Sequence, residues 1–524
     1  MTTSIAELRA GMDEGAYSAR DLVQAALDRI GVVDREGPAL HAVIETNPDA
    51  LDIAARLDAE LASGEGRGPL HGIPVLLKDN IAVTGMENTA GSLALVGAMP
   101  TQDAFVTRCL RDAGAVIIGK TNLSEWSNFR SPRSTSGWSA RGGQVLNPHQ
   151  LDRNPSGSSS GSGVAVAAGY VTAALGTETN GSIVSPANAN GVVGIKPTVG
   201  LTSRMGVIPI SRNQDTVGPM TRSVADAAWV LTAIAAADPD DPTLREQDGP
   251  TDAPSYPPRP RGTLAAFDYA SEEILDANGL DGARIGVWRP ETSYSQAVDE
   301  VFETSLIALR QGGAELVDPV QLDALVSAAD RRAELDVLLF ELAPGIAAYL
   351  ERYVDPAFPI RTLEDVIAFN RKHADRELRW FCQKLLEWSV EKNGLTDPAY
   401  LDTLRHTQRR GRELGIDAVI ERHGLDAIVA PSGTPAMRID LVNGDHGAGG
   451  SSTPAALAGY PIVTVPSGSH FDLPMNISFI GGAFTESVLI RLAYAFEQAT
   501  QARISPTMAP GGIEPPGSRR AGYA

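Results

Sequence analysis

Two serines in this sequence have the surroundings that nucleophilic catalysis needs. Ser182 follows the run Gly176-Thr-Glu-Thr-Asn-Gly181, in which small or turn-tolerant residues let consecutive backbone N–H groups point towards one spot. Converging N–H donors are what an oxyanion hole requires. Ser158 lies upstream in a Gly-Ser loop, ahead of a small-residue helix predicted from Gly163 to Ala174. Ser182 and Ser158 are therefore the candidate catalytic serines.

The candidate base is Lys78, because a serine hydroxyl is a poor nucleophile until a base takes its proton. Lys78 ends an apolar strand predicted from Ile73 to Leu77. Loss of hydration at a buried strand end lowers the pKa of a lysine and favours the neutral amine. A lysine after a strand is, on its own, more often a solvated strand end. The assignment therefore depends on its combination with Ser158 and Ser182.

These three residues resemble the catalytic set of the amidase signature family, which consists of two serines and a lysine without a histidine. The resemblance runs from about residue 18 to about residue 500 and includes the segments 119–125, 191–198 and 496–500. Within the family the chain is most similar to the bacterial peptide amidases, through Gly157-Ser-Ser-Ser-Gly-Ser162 and Trp138-Ser-Ala-Arg-Gly-Gly-Gln144.

The resemblance implies a hydrolase of carboxylic amides in which Ser182 is the nucleophile, Ser158 carries protons and Lys78 is the base. The reaction would pass through an acyl-enzyme, and the peptide bond between Gly157 and Ser158 would be cis. The similarity to peptide amidases favours C-terminal peptide amides as substrates, with release of ammonia. An aryl-acylamidase, a urethanase-like amidase and the amidase subunit of a tRNA-dependent amidotransferase are the alternatives on the same fold.

The resemblance also places an oxyanion hole at the backbone N–H groups of Thr179, Asn180 and Gly181, with the N–H of Ser182 as a further candidate donor. Many family members have glycine where this chain has Asn180 and aspartate where it has Glu178. Asparagine adopts unusual φ angles more readily than most residues, so the hole is still expected to form. The Asn180 side chain narrows the space beside the nucleophile and changes which substrates fit.

Two further motifs match known patterns but lack the structural context that those patterns need. Gly114-Ala-Val-Ile-Ile-Gly-Lys-Thr121 fits the P-loop, but a helix is predicted before it and an apolar strand within it. Gly157-Ser-Ser-Ser-Gly161 fits the nucleophile elbow of Ser-His-Asp α/β-hydrolases, with His446 or His470 as the base. An elbow follows a hydrophobic strand, whereas a polar loop with two prolines precedes this motif. The Ser-His-Asp hydrolase is therefore the remote enzyme alternative.

The composition argues against nucleic-acid and membrane partners. A formal charge of −20 at pH 7 does not attract nucleic acid or anionic lipid. The N-terminus lacks the basic and apolar regions of a secretory signal, and no apolar run is long enough to span a membrane. A cytoplasmic protein is therefore expected, as a monomer or homodimer whose partner is a small-molecule or peptide amide substrate.

Neither a metal nor a cofactor is expected. The eight histidines show no metal-ligand spacing, and the two cysteines, Cys109 and Cys382, lie in helix-like segments far apart in the chain. Two cysteines in such positions predict no disulfide framework and no cysteine-based metal site. The proposed base is an amine, so the chemistry does not call for a metal ion.

The alternation of apolar strands and helical patterns predicts an α/β fold with a mixed, largely parallel central sheet covered by helices on both faces. The segment from about 322 to about 414 is nearly all helical in pattern, and we expect a helical excursion there. This excursion either forms a wall of the substrate site or covers the sheet without contacting substrate. The amidase domain is expected to span 1–503. The tail 504–524 has little apolar content and is expected to be disordered.

Overall fold

Most strands of the protein join one mixed sheet that helices flank, as the alternation of apolar segments predicts. The computed structural model describes residues 3–244, 256–257, 267–290, 295–322, 327–446 and 449–511. The strands in these residues are β1 (Val43–Thr46), β2 (Pro74–Lys78), β3 (Val116–Thr121), β4 (Trp138–Ser139), β5 (Gly143–Gln144), β6 (Ala173–Glu178), β7 (Val193–Lys196), β8 (Thr216–Thr221), β9 (Arg284–Trp288), β10 (Glu315–Val320), β11 (Ala427–Pro431), β12 (Ile462–His470) and β13 (Leu473–Ile480).

Helices lie between most of these strands and at both ends of the chain. They are α1 (Ile5–Asp13), α2 (Ala19–Arg29), α3 (Ala50–Ala62), α4 (Phe105–Asp112), α5 (Ser160–Ala167), α6 (Val184–Asn190), α7 (Val224–Ile234), α8 (Gln296–Gln311), α9 (Ala328–Tyr353), α10 (Leu363–Lys372), α11 (Ala374–Glu377), α12 (Lys384–Val390), α13 (Pro398–Gly411), α14 (Asp417–His423), α15 (Ser452–Ala458) and α16 (Glu486–Thr500). The first two begin at capping boxes on Ser4 and Ser18, which confirms the start signals in the sequence.

The order of strands in the sheet is β1-β3-β2-β6-β8-β7-β12-β13-β11-β9-β10. Parallel pairing joins β3, β2 and β6 on one side and β11, β9 and β10 on the other. The strands between these two groups pair antiparallel. Helix α4 lies between β2 and β3, and α8 lies between β9 and β10, which is the connection that parallel neighbours need. The predicted mixed α/β fold is therefore confirmed.

The excursion predicted at about 322–414 is present as helices α9 to α13. It packs around its own cluster of buried apolar side chains, which includes Leu342, Leu350 and Leu386. The same cluster contains Trp126 and Phe129 from the segment that follows β3. The excursion is thus fixed to the loop region of the sheet by apolar contacts.

The helix predicted from 163 to 174 is shorter in the structure. Helix α5 ends at Ala167, Gly169 adopts a φ of 72°, and β6 begins at Ala173. A left-handed glycine commonly ends a helix, and the β-branched Val171 and Thr172 that follow favour an extended backbone. Small apolar residues run through the whole segment, so periodicity could not separate the helix from the strand.

The start of the predicted disordered tail packs against the protein. Met508 N–H donates to the Pro148 carbonyl at 2.8 Å, and Leu151 N–H donates to the Ala509 carbonyl at 2.9 Å. The Met508 side chain is also packed against the main apolar core. The structure therefore differs from the predicted disorder for residues 504–511, which backbone hydrogen bonds hold despite their low apolar content. Residues 512–524 lie outside the described residues.

Arg130 ties the excursion to the segment after β3. Its side chain is fully buried, and Nη1 donates to Glu125 Oε1 at 2.6 Å and to the backbone carbonyl of Glu377 in α11. The guanidinium also lies 5.2 Å from the ring centroid of Trp138 and 4.3 Å from that of Phe381. Burial raises the pKa of Glu125 well above its usual range, and Arg130 opposes this shift. Arg130 therefore stabilises the ionised form of Glu125, and its Nη1 also lies 3.4 Å from Glu377 Oε2.

We expect Arg130→Ala to lower the free energy of unfolding by about 3–5 kcal/mol, because it leaves the buried carboxyl groups of Glu125 and Glu377 without the cation that they share. Denaturant unfolding followed by circular dichroism gives the value. Arg409→Ala is the control, since the exposed pair of Arg409 with Glu413 is worth at most about 0.5 kcal/mol. A loss for Arg130→Ala as small as that of the control would contradict this role.

Candidate active site

Lys78 occupies the last position of β2, in the interior of the protein, and its side chain is fully buried. Its Nζ lies 2.7 Å from Ser158 Oγ, 2.9 Å from Thr177 Oγ1 and 3.2 Å from the Thr177 carbonyl oxygen. All three neighbours are uncharged oxygen atoms. The structure thus brings the predicted base and the predicted bridging serine into hydrogen-bond contact. Sequence reasoning missed Thr177, although it lies within the run Gly176–Gly181 that precedes the predicted nucleophile.

Burial sets the protonation state of Lys78. It lowers the pKa of the amine to about 7, because the charged form loses its hydration, while the carboxylates of Asp215 and Glu178 act in the opposite direction. A lysine with this pKa is present in part as the free amine at neutral pH. Only the free amine accepts a proton, so Lys78 is equipped to act as a general base.

Ser158 lies in the loop that leads into α5, and the peptide bond between Gly157 and Ser158 is cis, as the resemblance implies. On one side, Ser124 N–H donates to the Ser158 carbonyl at 3.1 Å. On the other side, Ser159 N–H donates to the Ser182 carbonyl at 3.1 Å. This second bond places the loop that carries Ser158 beside the turn that carries Ser182.

Ser182 lies in the turn between β6 and α6, and it is largely buried. The carboxylate of Glu178, the last residue of β6, accepts hydrogen bonds from Gly181 N–H at 2.8 Å, Ile183 N–H at 2.7 Å and Val184 N–H at 2.9 Å. Glu178 therefore satisfies free N–H groups at the start of α6 and fixes the turn on both sides of Ser182. Sequence reasoning noted Glu178 only as a departure from the family pattern.

The predicted oxyanion-hole donors differ in their hydrogen bonding. Gly181 N–H is already bonded to Glu178 Oε1. The N–H groups of Thr179, Asn180 and Ser182 have no hydrogen-bond acceptor among the residues that the structure describes. The N–H groups that are free to bind an oxyanion are therefore those of Thr179, Asn180 and Ser182, and Gly181 would have to exchange Glu178 for the oxyanion.

The excursion reaches this turn through Glu334 of α9. Asn180 Nδ2 donates to Glu334 Oε1 at 2.8 Å, so a residue of the excursion contacts a residue two positions from Ser182. The contact places the excursion beside the turn that carries Ser182, as the first of the two alternatives for the excursion, a wall of the substrate site, requires. Sequence reasoning missed Glu334, because nothing in the helical pattern distinguishes it from the other acidic residues of the excursion.

A cavity of about 260 Å³ lies beside Gly157 and Ser185, which neighbour the candidate serines in the chain. Hydrogen-bonding side chains form much of its wall, among them Asn128, Asn154 and Asp445. A larger cavity, of about 380 Å³, lies between residues 204–215 and α9. Its walls are mostly apolar. Neither Ser158 nor Ser182 lines either cavity, and the smaller one is the better candidate for the substrate site because Gly157, which precedes Ser158, belongs to its wall.

Three further kinds of feature bear on the described part of the chain: metal-ligand clusters, membrane-spanning helices and the P-loop pattern. Its residues contain no group of three or more His, Cys, Asp or Glu side chains that could hold a metal ion. Within the same residues, no helix combines the length and the apolar character that a membrane span needs. The segment that fits the P-loop pattern contains β3, whose residues are all buried in a strand of the sheet, so it cannot cradle a phosphate.

Comparison with known proteins identifies the family. The family model described as Amidase matches residues 21–490, and the chain belongs to this family of amide-hydrolysing enzymes. Among solved structures, the native peptide amidase from Stenotrophomonas maltophilia is 47% identical, with a TM-score of 0.88 over 97% of this chain and 99% of that one. A probable amidase of Arabidopsis thaliana is 39% identical over 96% of this chain and 91% of its own length. A Glutamyl-tRNA(Gln) amidotransferase subunit from Prochlorococcus marinus is 34% identical over 95% of this chain and 97% of its own.

We expect kcat/KM for amide hydrolysis to rise with pH and to reach half of its plateau near pH 7, because burial lowers the pKa of Lys78 to about 7 and only the free amine is a base. Below about pH 6 the rate should fall about tenfold per pH unit. Rates measured between about pH 4 and about pH 9 at constant ionic strength give the profile. A rate that stays flat down to about pH 4 would be incompatible with a lysine base.

Proposed function

We propose that the protein hydrolyses amides with Lys78 as the base, Ser158 as the proton carrier and Ser182 as the nucleophile. The observation that carries this proposal is the 2.7 Å contact between Lys78 Nζ and Ser158 Oγ, made by a buried lysine whose pKa is lowered to about 7. A charged lysine could only donate to Ser158. A free amine can take the Ser158 proton, which lets Ser158 take the proton of Ser182 in turn.

In the proposed reaction, Ser182 Oγ attacks the amide carbonyl carbon. Its proton moves to Ser158 Oγ while the Ser158 proton moves to Lys78 Nζ. The oxyanion that forms is bound by the free N–H groups of the 179–182 turn. The leaving nitrogen takes a proton back along the same path, and the C–N bond breaks to give an acyl-enzyme. Water then attacks the ester carbon, and the same groups restore Ser182.

We expect Ser182→Ala to abolish amide hydrolysis, because it removes the atom that becomes acylated. Ser158→Ala and Lys78→Ala should each lower kcat by about 100-fold or more, since each breaks the proton path. The two residues act as a unit, so the double variant should lose far less than the product of the two single losses. Ammonia release under saturating substrate is the measurement, with circular dichroism as the control for folding. Near wild-type turnover in Lys78→Ala would refute the mechanism.

We propose further that the substrates are peptides or N-acylated amino-acid amides that end in a carboxamide, from which the enzyme releases ammonia. The similarity to the peptide amidase from Stenotrophomonas maltophilia supports this class. The cavity beside Gly157 supports it independently, because its amide, hydroxyl and carboxylate groups match the hydrogen-bonding capacity of a peptide better than that of an alkyl chain.

We propose that the Asn180 side chain closes the leaving-group side of the substrate. Its side chain is bonded to Glu334 and is therefore not free to swing out of the way. A side chain fixed in that position would leave room for an NH₂ leaving group and would clash with a further residue. Exclusion of this kind needs only a steric clash, so it favours terminal carboxamides over internal peptide bonds.

The amidase subunit of a tRNA-dependent amidotransferase is the second candidate, because amidotransferase relatives match almost the whole chain. Their identity, at 34%, is lower than the 47% of the peptide amidase. The net charge of −20 also disfavours an assembly that handles tRNA. Hydrolysis of simple peptide amides by the isolated chain would favour the first candidate.

We expect the enzyme to release ammonia from an N-protected dipeptide amide and to leave the same sequence extended by one residue uncleaved, because the extension meets the fixed Asn180 side chain. Ammonia and amine release are followed in parallel for these two compounds, an anilide and an aryl carbamate. Faster release of aniline, or of amine from the carbamate, would instead assign the protein to the aryl-acylamidase or urethanase-like amidases. Cleavage of the extended peptide would contradict the exclusion argument.

A further inference from the structure

The side chain of Asn180 connects the turn that carries Ser182 to two other elements of the fold. Its Nδ2 donates to Glu334 Oε1 at 2.8 Å and to Thr453 Oγ1 at 3.2 Å, and its Oδ1 accepts from Ser452 Oγ at 2.7 Å. Each partner lies more than 150 positions away in the sequence, in α9 or α15. A glycine at this position would make none of these contacts.

Glu334 also contacts the same turn indirectly, because it accepts a hydrogen bond from Gln214, which in turn contacts the turn. Gln214 Nε2 donates to Glu334 Oε1 at 2.9 Å and also lies 3.4 Å from the Thr179 carbonyl oxygen. The Thr179 carbonyl and the Asn180 N–H belong to one planar peptide unit and point in opposite directions. A donor that fixes the carbonyl therefore also fixes the direction of the Asn180 N–H.

Stability alone does not explain a carboxylate at this position. Glu334 is almost fully buried, and these two hydrogen-bond donors are neutral amides rather than cations. Burial raises the pKa of Glu334, and the two amide donors only oppose this shift. A buried carboxyl group with neutral partners costs free energy, and such groups are concentrated at functional sites.

We propose that Glu334 is a positioning residue for amide hydrolysis, which acts through Asn180 and Gln214 to aim the Asn180 N–H at the developing oxyanion. This inference rests on the proposed role of Ser182 and its turn. An oxyanion hole accelerates the reaction only if its donors are in place before the charge develops. Helix α9 thereby takes part in setting the rate, although it carries none of the proposed catalytic residues.

The test compares Glu334→Ala with Glu334→Gln on a peptide amide. Glu334→Ala should lower kcat by about 10- to 100-fold, because losing one oxyanion donor costs about 100- to 1000-fold and a misdirected donor costs less. KM should change by less than about threefold, since the oxyanion exists only in the transition state. Glu334→Gln keeps an oxygen that accepts from both amides and should retain kcat within about threefold.

A matched control and a double-mutant cycle separate positioning from general stability. Asp330→Ala removes another buried carboxylate from α9, one paired with Arg410 of α13, and should lower the melting temperature while changing kcat by less than about threefold. Asn180→Ala removes the same hydrogen bond, between Asn180 Nδ2 and Glu334 Oε1, by deleting the donor instead of the acceptor. It should lower kcat about as much as Glu334→Ala, and the double variant should lose less than about threefold more.

A peptide aldehyde, which forms a tetrahedral adduct with a serine, gives a second readout. Its affinity should fall in parallel with kcat/KM in Glu334→Ala, while the affinity for the peptide carboxylate product stays the same. Unchanged kcat in a folded Glu334→Ala variant would overturn the proposal, as would an equal loss in Glu334→Gln. If Glu334→Ala does not fold, the test depends on Asn180→Ala alone. A kcat of Asn180→Ala equal to that of the wild type then overturns the proposal.

The proposed substrate class can be wrong while the proposed role of Glu334 is right, and the assays distinguish these two outcomes. The wild-type chain is assayed first, and absence of ammonia release from peptide amides contradicts that class. The same variants are then measured on whichever amide of the panel the wild type hydrolyses, because an oxyanion forms with every amide. The role of Glu334 is thus tested in either case.

Discussion

Burial of Lys78 among uncharged oxygen atoms is the constraint on which the site depends. A second buried lysine, Lys120, shows the difference that the partners make. Burial lowers the pKa of this amine too, but Asp79 Oδ1 lies 3.4 Å from Nζ, and the ion pair opposes that shift. Lys78 contacts two hydroxyl oxygens and a carbonyl instead, so hydration is lost without an ion pair to replace it. Lys120 therefore has a carboxylate in contact that stabilises its charged form, whereas none of the three oxygen atoms bonded to Lys78 carries a charge.

The sheet brings the other groups to this lysine. Strands β2 and β6 are parallel neighbours with Leu77 opposite Leu175, so their carboxyl ends meet at one edge of the sheet. Lys78 ends one of these strands, and the turn with Ser182 follows the other. Ser158 is inserted between them from the loop before α5, and the excursion completes the surroundings of the turn through Glu334. The chemistry therefore needs four distant parts of the chain, and only the fold unites them.

Local patterns in the sequence were sufficient to predict much of this arrangement. The apolar residues before Lys78, the Gly-Ser loop and the helical excursion all carry signals within a few turns of chain. The contact between Glu334 and Asn180 carries none, because it joins residues 154 positions apart. The hydrogen bond from Gly181 N–H to Glu178 depends on the conformation of the Glu178 side chain, which a sequence does not show. The early end of α5 was missed because small apolar residues have no periodicity there.

A direct titration of Lys78 tests the central claim. Lysine residues labelled with ¹³C at Cε are followed by NMR as the pH is changed, and the signal missing from Lys78→Met identifies Lys78. We expect this signal to titrate near pH 7, because burial lowers the pKa of the amine to about 7. A midpoint near the ~10.4 of a solvated lysine would show that Lys78 is a cation at neutral pH, and would contradict its role as the base.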